Sequence, residues 1–480
     1  MVGGITRRTA RNAAVSVAAD LLGKASSLLW TVLAARMLGQ ADFGAFFFAL
    51  TLSLLLSGVA EWAFDSVMVE RGSRDRGQLP VLFSQAMAWQ TSLAVPLFIA
   101  GGVVASSLRA STSVRMALAL VLLATLLDMW NDSARAVAAA IQTQATTARA
   151  LIGQRIATAV LISIALLVGG GLVSVAATFC LASAIGLVLH LRAIARLGVR
   201  FSFGSLTRTG MISMLGQSGL IGPTSLVLMV LFRLDAILLG LLVGDEAVAA
   251  YAAAYKLLET CLFVAFALRS SLFPVMTASG TAEVARVAVE RGLAAMSVLY
   301  VPFAIVSLVE PHAVLALLYG SSYADQSTTA LRWLAFAPLL FGMAFLSSAA
   351  LQARRRYGAM LIAAAAATVL NVAMNLVLIP QYAGTAAAAA TTVAYAVQAG
   401  AALLALRGAQ VRVRVARPLL ETGVAGVLLT GALVASPLPV LLEVPLGGVL
   451  FLACWIAMAR WKSPEQLRVL AAVVPGRGRQ

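Results

Sequence analysis

Long apolar segments recur along the whole chain and constrain its fold more than any other feature. A helix that crosses a membrane needs about 20 mainly apolar residues. Of the 480 residues, 61% are apolar and only 11% are charged, against about 25% charged in a soluble chain. A water-soluble shape cannot bury so much apolar surface, so the sequence predicts an all-α integral membrane protein of about 14 transmembrane helices. The predicted spans are 12–38, 43–69, 79–106, 114–142, 150–170, 172–195, 211–243, 246–276, 286–310, 326–352, 357–380, 384–407, 418–436 and 440–460.

Basic residues set the predicted orientation. The chain has 35 Lys plus Arg against 19 Asp plus Glu, a formal charge of +16. Most of the basic residues lie in the gaps between apolar segments and not on one amphipathic face, which argues against a nucleic acid partner. Alternate gaps are strongly basic, as at Arg354–Arg356, whereas the opposite gaps contain acidic residues such as Asp245, Glu246 and Asp325. We expect a multi-pass protein of a bacterial plasma (inner) membrane, and the positive-inside rule places both of its termini in the cytoplasm.

The first twelve segments resemble two copies of six. Leu38-Gly39 matches Val243-Gly244, and Ala139–Gln142 matches Ala349–Gln352 at a nearly constant offset. Six is an even number, so both copies run in the same direction, related by an axis along the membrane normal. This predicts an N-terminal lobe over residues 1–200 and a C-terminal lobe over 201–410, enclosing a central cavity. Residues 411–480 then hold two further helices and a cytoplasmic tail.

The sequence offers little for catalysis. It contains no GxxxxGK[ST] phosphate loop and no gap as large as a nucleotide-binding domain. Its three cysteines, Cys180, Cys261 and Cys454, lie far apart within apolar segments, and His190 and His312 are its only histidines. We therefore predict no cofactor, no metal site and no catalytic residue, and a protein that is not an enzyme.

Positive side chains inside the predicted spans are candidates for substrate binding. A charge at bilayer depth costs at least a few kcal/mol unless it faces a watery cavity or a partner. Arginine binds phosphate in a bidentate manner and lysine acts as a point charge, so such a lining would attract a pyrophosphate or an acidic sugar. The predicted substrate-binding cations are Lys24, Arg233, Lys256, Arg269 and Arg332.

Acidic side chains in the same spans are candidates for ion coupling or charge pairing. Asp20 is one helical turn from Lys24, and the pair can either stabilise the bundle or line the cavity. Asp128 is the deeper carboxylate of its helix and the better cation or proton site, because Arg135 can neutralise Asp132. Glu259 is spaced to pair with Lys256. The full set is Asp20, Asp128, Asp132, Asp235 and Glu259.

A cluster of glycines followed by proline marks the seventh span. Gly222 and Pro223 follow Gly216 and Gly219. Proline removes a backbone hydrogen bond and kinks or breaks a helix. Gly222 and Pro223 form either a static kink or a hinge for gating.

An ordered set of short motifs runs along the whole chain. The motifs are Ala35–Gly39 with Asp42-Phe43-Gly44, Arg233-Leu234-Asp235, Ala254–Leu257 with Glu259, Pro274 as the expected end of the eighth span, Leu351-Gln352, Asn371, Asn375, and Ile379-Pro380 with Tyr382 and Gly384. This set resembles the polysaccharide transporters, or Wzx-type flippases, of the multidrug/oligosaccharidyl-lipid/polysaccharide (MOP) exporter superfamily. One departure is Ala249, which stands where the second lobe would repeat Gly44.

The resemblance implies an activity and its partners. The protein would flip an undecaprenyl-pyrophosphate-linked oligosaccharide to the outer leaflet by alternating access, coupled to an H+ or Na+ gradient. Membrane lipid, and a polysaccharide polymerase or other assembly proteins, would be its partners in cell-surface polysaccharide biosynthesis. One alternative is a multidrug exporter of the same superfamily, for which an acidic or aromatic cavity would be typical. The other is a membrane glycosyltransferase or ligase, which would require a larger outer loop than the sequence provides.

Overall fold

The computed structural model describes residues 22–108, 111–219, 221–436 and 438–462. These residues are almost entirely helical and contain no β-strand, which confirms the predicted all-α class. The chain forms two compact units, Met1–Ala249 and Ala250–Gln480, called here the first and second unit.

The first unit contains the helices of the N-terminal half, with two short 3-10 turns at Arg76–Gln78 and Phe203–Ser205. Its helices are α1 (22–38), α2 (Gln40–Glu61), α3 (Phe64–Arg74), α4 (Leu79–Ser107), α5 (Thr112–Ala140), α6 (Gln144–Leu167), α7 (Leu172–Ala195), α8 (Arg208–Gln217), α9 (Ile221–Leu242) and the first residues of α10 (Asp245–Cys261).

The second unit contains the remainder of α10 and all later helices. These are α11 (Phe263–Ser279), α12 (Ala282–Val309), α13 (Pro311–Tyr319), α14 (Ser321–Leu334), α15 (Ala337–Ala353), α16 (Tyr357–Gly408), α17 (Ala416–Ala435) and α18 (Val440–Lys462).

The helices supply the expected number of membrane crossings. Ten helices or consecutive helix pairs of the described residues are long and apolar enough to span a bilayer. One of them, α16, is broken at Ala383, where φ is 45° and ψ is −128°, and each half is long enough for one crossing. Together with α1, α9 and α17, these helices of the described residues are consistent with the predicted number of about 14 spans.

Four predicted spans are each divided into two helices. Span 43–69 breaks at Trp62 and Ala63, which both adopt left-handed backbone conformations with φ of 40° and 60°. Span 211–243 is divided between α8 and α9, span 246–276 between α10 and α11, and span 326–352 between α14 and α15. Apolar length predicts where the chain crosses the membrane, but it carries no signal for an interruption within a crossing.

One local prediction was wrong. Pro274 does not end its helix, since α11 continues to Ser279. Proline is tolerated inside membrane helices where neighbouring groups satisfy the freed backbone. Residues Pro311–Tyr319, which lie in the gap between two predicted spans, form the short helix α13.

Close backbone approach explains one motif of the resemblance. A side chain at Gly44 in α2 would collide with the backbone carbonyl oxygen of Asp245 at the start of α10. Further along the same interface, a Cβ at Gly58 would lie 2.6 Å from Met229 Cγ in α9. Glycine at these positions lets α2 pack directly against α9 and the start of α10.

Candidate functional site

The two predicted cations of the first unit lie in different helices. Lys24 in α1 and Arg233 in α9 are both half-buried. Asp235, two residues after Arg233, is only 1% exposed, and its Oδ1 accepts a hydrogen bond of 2.7 Å from the N–H of Ala236. Asp20, the predicted partner of Lys24, lies outside the described residues.

Lys256 in the second unit forms an ion pair within its own helix. Its Nζ donates to Glu259 Oε2 at 2.9 Å, and the two side chains are 9% and 19% exposed. This is the pairing that the three-residue spacing allows. Since Glu259 neutralises its charge locally, an anionic ligand at Lys256 would have to compete with that carboxylate.

Arg269 in α11 is held by aromatic rings and an amide. Its guanidinium lies 4.7 Å from the ring centre of Phe345 and 5.6 Å from that of Phe273. Its Nη2 donates to Gln352 Oε1 at 2.7 Å. Within the described part of the chain it forms no ion pair. Stacking and a neutral hydrogen-bond acceptor fix the guanidinium in place without neutralising its charge.

Arg332 occupies a different environment from the other predicted cations. It lies exposed in the last turn of α14, beside Trp333, which is 46% exposed. A cation there is stabilised by the negative end of the helix dipole. Its position alone therefore does not require a ligand.

Asp128 in α5 lies at the centre of a polar network that joins three helices. Its Oδ1 accepts hydrogen bonds from Gln154 Nε2 of α6 at 2.6 Å and from Asn131 Nδ2 at 3.0 Å. Asn131 Nδ2 also lies 3.4 Å from the carbonyl oxygen of Ser183 in α7. A Cβ added at Gly186 would lie 2.5 Å from Gln154 Cδ, so the glycine makes room for the amide. The network holds the Asp128 carboxylate between apolar helices through hydrogen bonds from side-chain amides.

Asp132 forms the pair that the sequence predicts. Arg135 Nη1 lies 3.0 Å from Asp132 Oδ1, and the side chains are 38% and 53% exposed. A partly exposed pair of this kind contributes about 0–1 kcal/mol to stability. Asp132 is therefore compensated by its own ion pair, whereas Asp128 accepts hydrogen bonds from neutral amides and interacts electrostatically with Arg155.

Sequence reasoning missed three charged residues in the first unit. Asp65 of α3 accepts hydrogen bonds from Ser133 Oγ at 2.7 Å and Gln90 Nε2 at 3.2 Å, joining α3, α4 and α5. Glu61 ends α2 one turn earlier, and its carboxylate interacts electrostatically with Asp65. Arg155 of α6 acts electrostatically on Asp128. All three lie within predicted spans, so the rule that selected the other candidates would have found them too.

The predicted hinge coincides with a helix break. α8 ends at Gln217 and α9 begins at Ile221, which places Gly222 and Pro223 in the first turn of α9. Proline fits there because the first N–H groups of a helix have no partner within it. A Cβ at Gly222 would lie 2.8 Å from the indole ring of Trp62, so this break packs against the break between α2 and α3.

The described residues contain no group of three or more His, Cys, Asp or Glu side chains arranged to hold a metal ion. Cys180, Cys261 and Cys454 are free thiols. His190 is fully buried in α7, with Nδ1 2.8 Å from the carbonyl oxygen of Gly186.

Long apolar helices with charged side chains set among them define a multi-pass membrane protein. The chain belongs to the polysaccharide biosynthesis protein family, whose model matches residues 9–279. The MatE family model also matches, over residues 221–377. A search of curated proteins finds no match.

Solved structures show the same fold at low sequence identity. "Lipid II flippase MurJ, inward closed conformation" is 13% identical with a TM-score of 0.75, covering 93% of this chain and 98% of that one. A "multidrug resistance MATE family transporter of the MOP superfamily", inward-facing, is 15% identical with a TM-score of 0.66, covering 81% and 94%.

A third structure is a MOP superfamily transporter from Pyrococcus furiosus whose title describes a "reverse polarity of binding pocket". It is 14% identical with a TM-score of 0.64, covering 84% of this chain and 96% of that one. The predicted family resemblance is thus confirmed by the family model, and the chain shares the fold of these flippase and transporter structures.

Proposed function

We propose that this protein flips an undecaprenyl-pyrophosphate-linked oligosaccharide from the inner to the outer leaflet of a bacterial plasma membrane, with both termini cytoplasmic. The cargo would cross by alternating access of two lobes, over residues 1–200 and 201–410, around a central cavity. Membership of the polysaccharide biosynthesis family supports this class of cargo, and the fold shared with the MurJ lipid II flippase supports the mode of transport.

The observation that carries the proposal is the setting of Arg269. A headgroup with two phosphates needs a cation that is fixed in place and is not already paired. Arg269 meets both requirements, since Phe345 and Gln352 fix its guanidinium while leaving its charge uncompensated by any ion pair among the described residues. Phosphate is bound best by the planar, forked arginine side chain.

The other candidate cations take subordinate roles in this proposal. Lys24 and Arg233 are half-buried within membrane helices, where a charge requires a polar environment. Lys256 would exchange its contact with Glu259 for the pyrophosphate as the cargo arrives. Arg332, exposed at the end of α14, would contact the cargo only during entry or exit.

Ion coupling in this proposal depends on Asp128. Its carboxylate is surrounded by the neutral donors Gln154 and Asn131 and lies within a membrane helix, which is a suitable setting for binding and releasing H+ or Na+. Gly222 and Pro223 would act as the hinge. A polysaccharide polymerase and other assembly proteins would use the flipped product.

The proposal is tested by replacing Arg269 in purified protein reconstituted in proteoliposomes. We expect Arg269→Gln to lower the rate of lipid-linked oligosaccharide flipping roughly tenfold or more, because a hydrogen bond to a charged group is worth about 1.5–3 kcal/mol. Arg269→Lys keeps the charge but loses the stacked, forked geometry, so an intermediate rate is expected. Arg356→Gln, at an exposed arginine between α15 and α16, is the matched control.

Wild-type flipping by Arg269→Gln at equal protein amount would remove Arg269 from the cargo site. If the wild-type protein itself moved no lipid-linked oligosaccharide, the proposed function would fail as a whole.

A multidrug exporter remains the second candidate function, favoured by the MatE match over residues 221–377. An enzyme that transfers the sugar is a weaker third, since the solved structures that share the fold are described as a flippase and transporters.

A further inference from the structure

A deep groove opens between α4 and α5 on the side of the first unit. Its volume is about 560 Å³, within the range of about 300–1,000 Å³ that suits a single small ligand. Its floor is formed by Phe98, Leu118 and Leu122, which are 7%, 3% and 7% exposed. Gly102 widens it, because a Cβ there would lie 3.1 Å from Leu122 Cδ1.

The groove opens towards lipid. Both helices that form it are among the apolar spans, and only 17% of the apolar window of Arg76–Ser107 is buried within the protein. At its rim, Ile99 and Val103 are 62% and 63% exposed. Side chains this apolar are exposed only to hydrocarbon, so a lipid chain is the natural occupant of the floor.

One end of the groove is polar and carries a positive charge. Arg115, in the first turns of α5, is the one ionisable side chain among the described residues that line the groove, and Ser106 and Ser107 lie beside it. A negative headgroup placed at this end would find a guanidinium and hydroxyl groups.

We propose that this groove is a binding site for an anionic glycerophospholipid. One acyl chain lies along Phe98, Leu118 and Leu122, and the phosphate group is bound by Arg115. The cavity accommodates one chain and is too small for the whole of a long polyprenyl anchor, so the occupant is a lipid of the surrounding bilayer and not the cargo. The proposal is independent of what the protein transports.

Native mass spectrometry of the full-length protein tests the site, with titration of phosphatidylglycerol and of phosphatidylcholine with the same chains. Wild-type protein should bind phosphatidylglycerol more tightly. Arg115→Gln should weaken phosphatidylglycerol binding roughly tenfold and remove the preference between the two lipids. Ala119→Phe, which fills the groove from α5, should weaken binding of both lipids.

Two matched controls accompany these variants. Arg36→Gln removes an exposed arginine at the end of α1, and Val104→Phe enlarges a side chain of α4 that is 61% exposed and does not line the groove. Both should bind as wild type. An unchanged preference in Arg115→Gln would overturn the proposal even if Ala119→Phe failed to fold.

Two further results would also overturn the proposal. One is that Ala119→Phe binds both lipids as tightly as Val104→Phe does. The other is displacement of phosphatidylglycerol by a polyprenyl phosphate at equal concentration, since the occupant would then be the anchor of the cargo class.

Discussion

Asp128 has a carboxylate oxygen that accepts two amide hydrogen bonds in a membrane helix, and this contact pattern leads to a specific expectation. Asparagine has nearly the same shape and keeps an oxygen for Gln154 and Asn131, but it cannot bind a proton or carry a charge. We therefore expect Asp128→Asn to fold normally and to lose the dependence of transport on the ion gradient. Flux measured with and without a pH or Na+ gradient decides this.

The control is Asp132→Asn, four residues later in the same helix. Asp132 is paired with Arg135 and half exposed, so its loss should leave the ion dependence intact. Unaltered transport and ion dependence in Asp128→Asn would exclude Asp128 as the coupling residue.

Ala383 adopts a backbone conformation that favours glycine. With φ of 45° and ψ of −128°, a residue with a Cβ is strained by about 1–3 kcal/mol. We expect Ala383→Gly to stabilise the protein by about 1 kcal/mol, measured by thermal or denaturant unfolding in detergent. Ala366→Gly, at an exposed position within the regular helix α16, should destabilise it by about 1 kcal/mol. Destabilisation by both substitutions would show that the break at Ala383 is not strained.

The charged candidates illustrate what one sequence can reveal about a site. Arg269 and Asp128 could be identified by residue type, because ionisable groups in apolar spans are rare and costly. Their partners could not, since Gln352, Phe345 and Gln154 come from other helices and each is an ordinary residue in its own segment. Only tertiary packing separates a stacked arginine from one that is already neutralised.

Helix breaks show a similar limit. The glycines and the proline around the start of α9 predicted a kink or a hinge, and the structure has a helix break there. The break between α2 and α3 uses Trp62 and Ala63, two residues that carry no turn signal, so nothing in the local sequence predicts it. Its conformation is imposed by the packing of α3 against α4 and α5 and by the contact of Trp62 with Gly222.

The contact between Trp62 and Gly222 predicts a steric effect. Gly222→Ala places a methyl group 2.8 Å from the indole ring, and such overpacking typically costs about 1–3 kcal/mol. We expect a lower midpoint of thermal unfolding, partly restored when Trp62→Phe is added. Gly216→Ala in α8, where a Cβ meets no atom within 4 Å, should show no such loss. Equal midpoints for the two alanine variants would mean that α9 shifts freely away from Trp62.

At the scale of the whole molecule, the approximate number of spans and the all-α membrane class can be predicted from the sequence, because bilayer thickness fixes how much apolar length a crossing needs. The cargo cannot be predicted in the same way, since flippases and drug exporters share this fold. The setting of Arg269, which has no ion-pair partner among the described residues, supports the proposal of an anionic cargo, and this is a property of one side chain and not of the architecture.

A deletion strain distinguishes the two cargo classes. We expect loss of a surface polysaccharide with unchanged sensitivity to cationic drugs, and restoration of the polysaccharide by the wild-type gene but not by Arg269→Gln. Increased drug sensitivity with normal surface glycan would favour the multidrug exporter.

The fit of Gln154 against Gly186 has a consequence for how such proteins diverge. A side chain at position 186 would collide with the Gln154 amide that reaches Asp128, so we expect the three positions to be selected together. Among homologues that keep an acidic residue at the position of Asp128 and glutamine at that of Gln154, the position of Gly186 should remain glycine. Where the acidic residue is lost, we expect larger residues at position 186, and we expect the residues at positions 128 and 154 to vary together.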